Sequence, residues 1–155
     1  MQITTYKGYI NPDHKNYLVK EKSIEYTAAD RLDNATKIFE VMKNVFHMHE
    51  LAEEEVYMIC LNTKCIPTSF IMISKGTVRC SVVSTREIFI QALLSSAVNI
   101  IICHNHPSHD ETPSREDIEL TQKLLKASQL LDINLADHII IGGNNYFSFS
   151  EHEML

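Results

Sequence analysis

The chain has 155 residues, 45% of them hydrophobic, which suits one compact domain with its own core and is too short for two. Four glycines and four prolines exclude a linker-rich or disordered chain, and no internal repeat or low-complexity block is present. A formal net charge of -6 repels a phosphate backbone, so nucleic acid is not the expected partner. No apolar run is long enough to span a bilayer, and the first residues lack the apolar core of a secretion signal. A soluble cytoplasmic protein without a membrane partner is expected. Cys60, Cys65, Cys80 and Cys103 form no CxxC pair, so free, mostly buried thiols are expected rather than a zinc knuckle or a disulfide framework.

In chain order, residues 1–28 are read as an N-terminal extension packed on a single domain that occupies residues 1–155. Over residues 29–47, Leu32, Ala35, Phe39, Met42 and Phe46 recur at three- and four-residue steps and predict a core-packing helix. After the acidic cluster Glu53-Glu54-Glu55, residues 56–61 are apolar on both alternating faces, as in a central strand covered on two sides. Residues 69–74 and a short segment around 80–83 predict further strands of a meander, with Lys75-Gly76-Thr77 as the turn. Ile90, Leu93, Leu94, Ala97 and Val98 predict a second helix, with Thr85 as its N-cap. Residues 99–103 make another doubly apolar strand, and the polar stretch over residues 104–113 a loop. A third helix follows from Ser114 to about residue 131, with Leu120, Leu124, Ala127 and Leu131 on its stripe. The apolar runs at 137–141 and 146–149 flank Gly142-Gly143-Asn144-Asn145 and predict a hairpin. The fold class is α/β, a mixed sheet with helices.

Chemistry concentrates where the strand at residues 99–103 ends. In extended backbone His104 and His106 project from the same face and can grip one ion. Asp117 lies eleven residues after His106, three into the predicted helix, where the loop can fold its carboxylate back. Two imidazoles and one carboxylate suit zinc, and three protein ligands leave a fourth position for an activated water. Such a water needs a base, for which the acidic cluster offers Glu54; it shares a strand face with Val56, Met58 and Cys60, while Glu53 and Glu55 take the other. Alternation alone does not say which face meets the metal. Ser114 can stabilise an oxyanion, or it can serve with Asp117 as the capping box of the helix. The second HxH, His47-Met48-His49, falls at a helix end, where spacing by two splays the rings apart. His14, His109, His138 and His152 are read as ordinary polar residues.

Together, His104-Asn105-His106-Pro107-Ser108 and Thr112-Pro113-Ser114-Arg115-Glu116-Asp117 resemble the signature of the RadC-like branch of the JAMM (MPN) metalloprotease superfamily. The similarity extends through Arg86-Glu87-Ile88-Phe89, Asp137-His138-Ile139-Ile140-Ile141 and Tyr146-Phe147-Ser148-Phe149. The family's strand ending in Leu-Asp matches residues 56–61 followed by Asn62, a register that lands its acidic residue on Glu54. The resemblance implies a cytidine-deaminase-like α/β/α (JAB/MPN) fold with one zinc ion on His104, His106 and Asp117. It further implies Glu54 as general acid/base, Ser114 as oxyanion stabiliser, and hydrolysis of peptide or isopeptide bonds in a peptide or protein substrate. Three positions depart from the pattern: His109 for a glycine, Glu111 for a proline and Asn62 for an aspartate.

Two alternatives accompany that reading. One is the DNA-repair role carried by the family label, with a nucleic-acid partner; the acidic chain and the imidazole-rich set speak against it. The other is a non-catalytic partner-binding module, whose mark would be a lost ligand or glutamate, and all are present. A deaminase would need H-x-E and P-C-x-x-C, and both are missing. Longer family members carry a helix-hairpin-helix region, for which the residues before Glu54 show neither the repeat nor the glycine turns.

Overall fold

The computed structural model describes residues 1–76 and 83–155. In chain order these form β1 (Gln2–Ile10), β2 (Asn16–Glu25), α1 (Ala35–Asn44), a 3-10 turn (Met48–Glu50), β3 (Glu55–Leu61), β4 (Pro67–Lys75), α2 (Thr85–Leu94), β5 (Asn99–Asn105), α3 (Arg115–Leu131), β6 (Asn134–Gly142) and β7 (Asn145–Ser148). The strands make one mixed seven-stranded sheet in the order β2-β1-β4-β3-β5-β6-β7. β3 pairs antiparallel with β4 and β5, whereas β5 runs parallel to β6 and β1 to β4. Residues 1–28 contain the β1–β2 hairpin, which extends the sheet edge through Thr5↔Phe70 and Tyr6↔Ile71.

Strand alternation sorts the core into two layers. Tyr57, Ile59, Ile101, Cys103, Ile139 and Ile141 point to the α1 side, where Phe39 and Met42 meet them. Val56, Met58, Cys60, Ile100 and Ile102 point to the opposite side, against Ile88 and Phe89 of α2 and Leu124 of α3. The result is an α/β/α sandwich with β3 and β5 buried on both faces, as their unbroken apolar runs predict.

Several boundaries and faces differ from expectation. α1 begins at Ala35 rather than near residue 29, because the Asn34 side chain captures the Lys37 amide at 2.9 Å and the Leu32 amide is tied to the Cys65 carbonyl. On α2 the cap is Ser84, not Thr85, and of the predicted stripe Ala97 is buried while Leu93, Leu94 and Val98 are 56%, 43% and 41% exposed. Ile88, Phe89 and Ala92 repeat the same spacing on a different face of the helix and fill the core there, and the left-handed backbone at Ser96 (φ 51°) follows the helix end, so Ala97 and Val98 lie beyond it. On α3 the buried line is Thr121, Leu124 and Ser128, while Leu131 is exposed. The short strand expected around residues 80–83 lies, Val83 apart, outside the described residues. Cys60, Cys65 and Cys103 are free thiols, and no helix among the described residues is long and apolar enough to cross a membrane.

Candidate metal centre

β5 continues two residues beyond the predicted strand end, so His104 and Asn105 lie in the sheet rather than in the loop. His104 sits opposite Val56 on one side and Ile140 on the other, and the His106 amide donates to the Ile141 carbonyl at 2.9 Å. That pairing holds both imidazoles on the α3 face of the sheet. His104 Nε2 and His106 Nε2 stand 3.1 Å apart. Asp117, in the first turn of α3, brings Oδ1 to 3.1 Å from His104 Nε2 and Oδ2 to 3.4 Å from His106 Nε2. One ligand atom from each residue lies within 4.8 Å of the other two, so the three could hold a metal ion, and no other such group occurs among the described residues.

Each donor is oriented from behind. The His106 Nδ1–H donates to the Asp110 carbonyl at 2.7 Å, which leaves Nε2 as the ring's acceptor nitrogen. His104 Nδ1 meets Nε2 of the buried His138 at 2.9 Å, and His138 Nδ1 meets the Thr121 hydroxyl at 2.6 Å. Burial, aided by the neighbouring His104, pushes His138 well below the ordinary histidine range and keeps it neutral. Burial opposes the charge on Asp117, yet the adjoining His104 and His106 rings and the hydrogen bond from Ser114 hold its carboxyl far below the usual carboxylate range. The adjoining Asp117 carboxylate raises His106 against its own burial.

Ser114 occupies the N-cap of α3 and closes a capping box with Asp117. Its hydroxyl accepts from the Asp117 amide at 3.1 Å and donates to Asp117 Oδ2 at 2.6 Å, while its amide donates to the same oxygen at 2.7 Å. Glu54 lies two residues before Val56, so the β3–β5 register carried onward sets it opposite His106, on the metal-facing side. Burial raises its carboxyl and the Asp117 charge adds to the rise, offset by His104 and His106. Glu53 is salt-bridged to Lys75, and Glu55 turns the other way to the same lysine.

Four further residues shape the centre without standing out as site residues in the sequence. The Asn105 side chain accepts from the Glu55 amide at 2.8 Å and donates to the Glu53 carbonyl at 3.0 Å, clamping the backbone on both sides of Glu54. Gly142 lets the loop after His106 approach, since a Cβ there would lie 2.4 Å from the Glu111 nitrogen and 2.7 Å from the Asp110 carbonyl carbon. His138 and Thr121 complete the set. The signal for Asn105 and His138 was their place in strands buried on both faces, where a polar side chain must find partners. Of the other histidines, His47 takes a left-handed backbone before the 3-10 turn, and His152 donates to the Ser148 carbonyl.

The departures from the family pattern also find positions. His109 has φ 63°, a backbone that glycine adopts freely, and its ring rests against Gly143. Asn62 Oδ1 accepts from the Lys64 and Ile66 amides, bonds that an aspartate oxygen would accept equally.

Comparison with known proteins agrees with this arrangement. Residues 32–154 match the model of the RadC-like JAB domain. The chain belongs to that family. It is 42% identical over 137 residues to a UPF0758 protein of Clostridium botulinum (strain Loch Maree / Type A3), over 88% of this chain and 58% of that protein. UPF0758 proteins of Clostridium beijerinckii and Clostridium novyi are each 45% identical over 108 residues, 70% of this chain and 47% of theirs. This RadC-like JAB domain thus spans about half the length of the curated relatives it matches, and its β1–β2 hairpin precedes the family match.

Proposed function

We propose that the domain is a zinc-dependent hydrolase of peptide or isopeptide bonds, with His104, His106 and Asp117 as ligands, Glu54 as general acid/base and Ser114 beside the reacting carbonyl. The observation that carries the reading is the convergence of two imidazole nitrogens and a carboxylate at 3.1–3.4 Å. Bonds of about 2.0–2.1 Å at tetrahedral angles separate ligand atoms by roughly 3.3–3.4 Å, so the spacing fits zinc, and an N,N,O set suits it better than magnesium. Zinc there would lower the pKa of a coordinated water and polarise the scissile carbonyl. Glu54, raised by burial, is suited to take a proton from the attacking water on its carboxylate and return it to the leaving amine. The Ser114 hydroxyl, already donating to Asp117, can serve a substrate oxygen only by giving up that bond. The acidic chain favours a peptide over a nucleic acid, and its free thiols suit a reducing cytoplasm.

The test combines elemental analysis with cleavage of a peptide and isopeptide library followed by mass spectrometry. Purified protein should hold one zinc, lose it in the His104→Ala/His106→Ala variant, and keep it in Glu54→Gln while losing cleavage. Absence of stoichiometric zinc overturns the metal assignment, and full cleavage by Glu54→Gln overturns the role given to Glu54.

A further inference from the structure

The hydrogen bonds behind His104 form a chain whose proton order can be worked out. Thr121 Oγ1 lies 2.7 Å from the Asp117 backbone oxygen and 2.6 Å from His138 Nδ1. A carbonyl only accepts, so the bond to Asp117 uses the hydroxyl's single proton, and Oγ1 then faces His138 as an acceptor. That places the His138 proton on Nδ1. A neutral imidazole has only one such proton, so His138 Nε2 carries a lone pair toward His104 Nδ1, 2.9 Å away. His104 must then be protonated on Nδ1, and its Nε2 lone pair points at His106 and Asp117. Run in reverse, the chain would put the His104 proton on Nε2, where a metal could not bind until it left, and would forgo the bond from Thr121 to Asp117.

We propose that His138 and Thr121 are positioning residues that fix His104 in the Nδ1–H tautomer, anchoring that choice on the backbone carbonyl of Asp117. Resting on the metal-site reading above, the proposal adds residues that touch no substrate. The chain starts and ends on the same centre: the carbonyl that sets the tautomer of one ligand belongs to the residue whose carboxylate is another. Its interior is sealed, with His138 0% exposed and Thr121 1% exposed, so water cannot substitute for a lost partner. His138 is also stacked on Phe149 at 4.8 Å and 8°, which fixes the ring plane in which the two bonds must lie.

Two readouts test this. In the metal-free protein, nitrogen-15 shifts of the imidazole rings should show His104 and His138 both protonated on Nδ1; a His104 that carries no proton on Nδ1 overturns the proposal. Zinc affinity, measured by chelator competition, should fall about 10- to 100-fold in His138→Phe, which keeps the stack but removes the acceptor, and about 10-fold in Thr121→Val. His138→Gln, whose amide oxygen can stand where Nε2 stood, and Thr121→Ser should restore binding to within about threefold of wild type. Unchanged affinity in both Thr121→Val and His138→Phe overturns the proposal, as does equal weakening by the Ser and Gln variants, which marks a packing effect. If wild type binds no zinc, the metal reading fails while the tautomer measurement still decides the relay.

Discussion

Replacing Asn105 with alanine separates the proposed metal site from the proposed general base. The Asn105 side chain touches none of the three candidate ligands; its two bonds go to the Glu55 amide and the Glu53 carbonyl. Glu55 and Asn105 are both buried, so removing the acceptor orphans an amide that water does not reach, at about 1–3 kcal/mol. Glu53 is an exposed residue whose carbonyl bond is only part-buried, so water can replace the lost bond, which adds no more than about 1 kcal/mol. A total of about 1–4 kcal/mol follows, read as a shift in the urea midpoint of the chelator-treated protein at unchanged slope. Zinc affinity should stay within about threefold of wild type, whereas library cleavage should drop at least about tenfold, because general acid–base catalysis depends on where the Glu54 carboxylate sits. A stability loss under about 0.5 kcal/mol together with full cleavage would refute the clamp. Loss of zinc in step with cleavage would show that Asn105 supports the ligands instead.

Two other perturbations probe the surroundings of the centre. Gly142→Ala should push residues 110 and 111 outward, since its Cβ would overlap their backbone, and so break the bond from His106 Nδ1 to the Asp110 carbonyl; zinc affinity measured by chelator competition should fall about tenfold or more. Asp137 supplies a pH dependence: burial raises its carboxyl despite bonds from Ser148, Ser150 and the His138 amide. A carboxyl raised on folding binds its proton more tightly in the native state, so its contribution is most favourable below the unfolded value of about 3.9 and declines as pH climbs to the raised folded value, then stays level. Wild-type stability minus that of Asp137→Asn, followed by urea unfolding from pH 3.5 upward, should trace that decline, and a flat or rising difference would contradict it.

The parts of the fold legible from the sequence are those where one physical signal dominates. Unbroken apolar runs marked β3 and β5 as central, Gly142 to Asn145 marked the last hairpin, and Ser114 with Asp117 marked the start of α3. Where two signals compete, tertiary packing decides. α2 offers two stripes of the same period, and the bulkier Ile88–Phe89 pair wins the core. The buried face of α3 runs through Thr121 and Ser128, polar residues that a count of apolar positions skips because their hydroxyls are satisfied by backbone carbonyls. The β1–β2 hairpin escaped because its strands are mostly exposed and lack alternation. Its signal was the turn at Asn11-Pro12-Asp13-His14, where Asn11 Oδ1 accepts from the Lys15 amide.

At Asp117 the structural and functional readings of one motif turn out to share atoms. A capping carboxylate is held beside the first amides of a helix, where the helix field favours its ionised form. In α3 the two bonds from Ser114 both fall on Oδ2, so Oδ1 is the oxygen left to face His104. The cap therefore sets the rotamer of the candidate ligand before any metal arrives. The same first turn supplies the Asp117 carbonyl that receives the Thr121 hydroxyl, so the start of α3 orients two of the three donors. β6 and the loop after β5 orient the third, through the His106 amide on Ile141 and the His106 ring on Asp110. A centre assembled in this way depends on a helix start and a strand end meeting in register, which explains why Ser114, Asn105 and Gly142 carry weight although none needs to bind the ion.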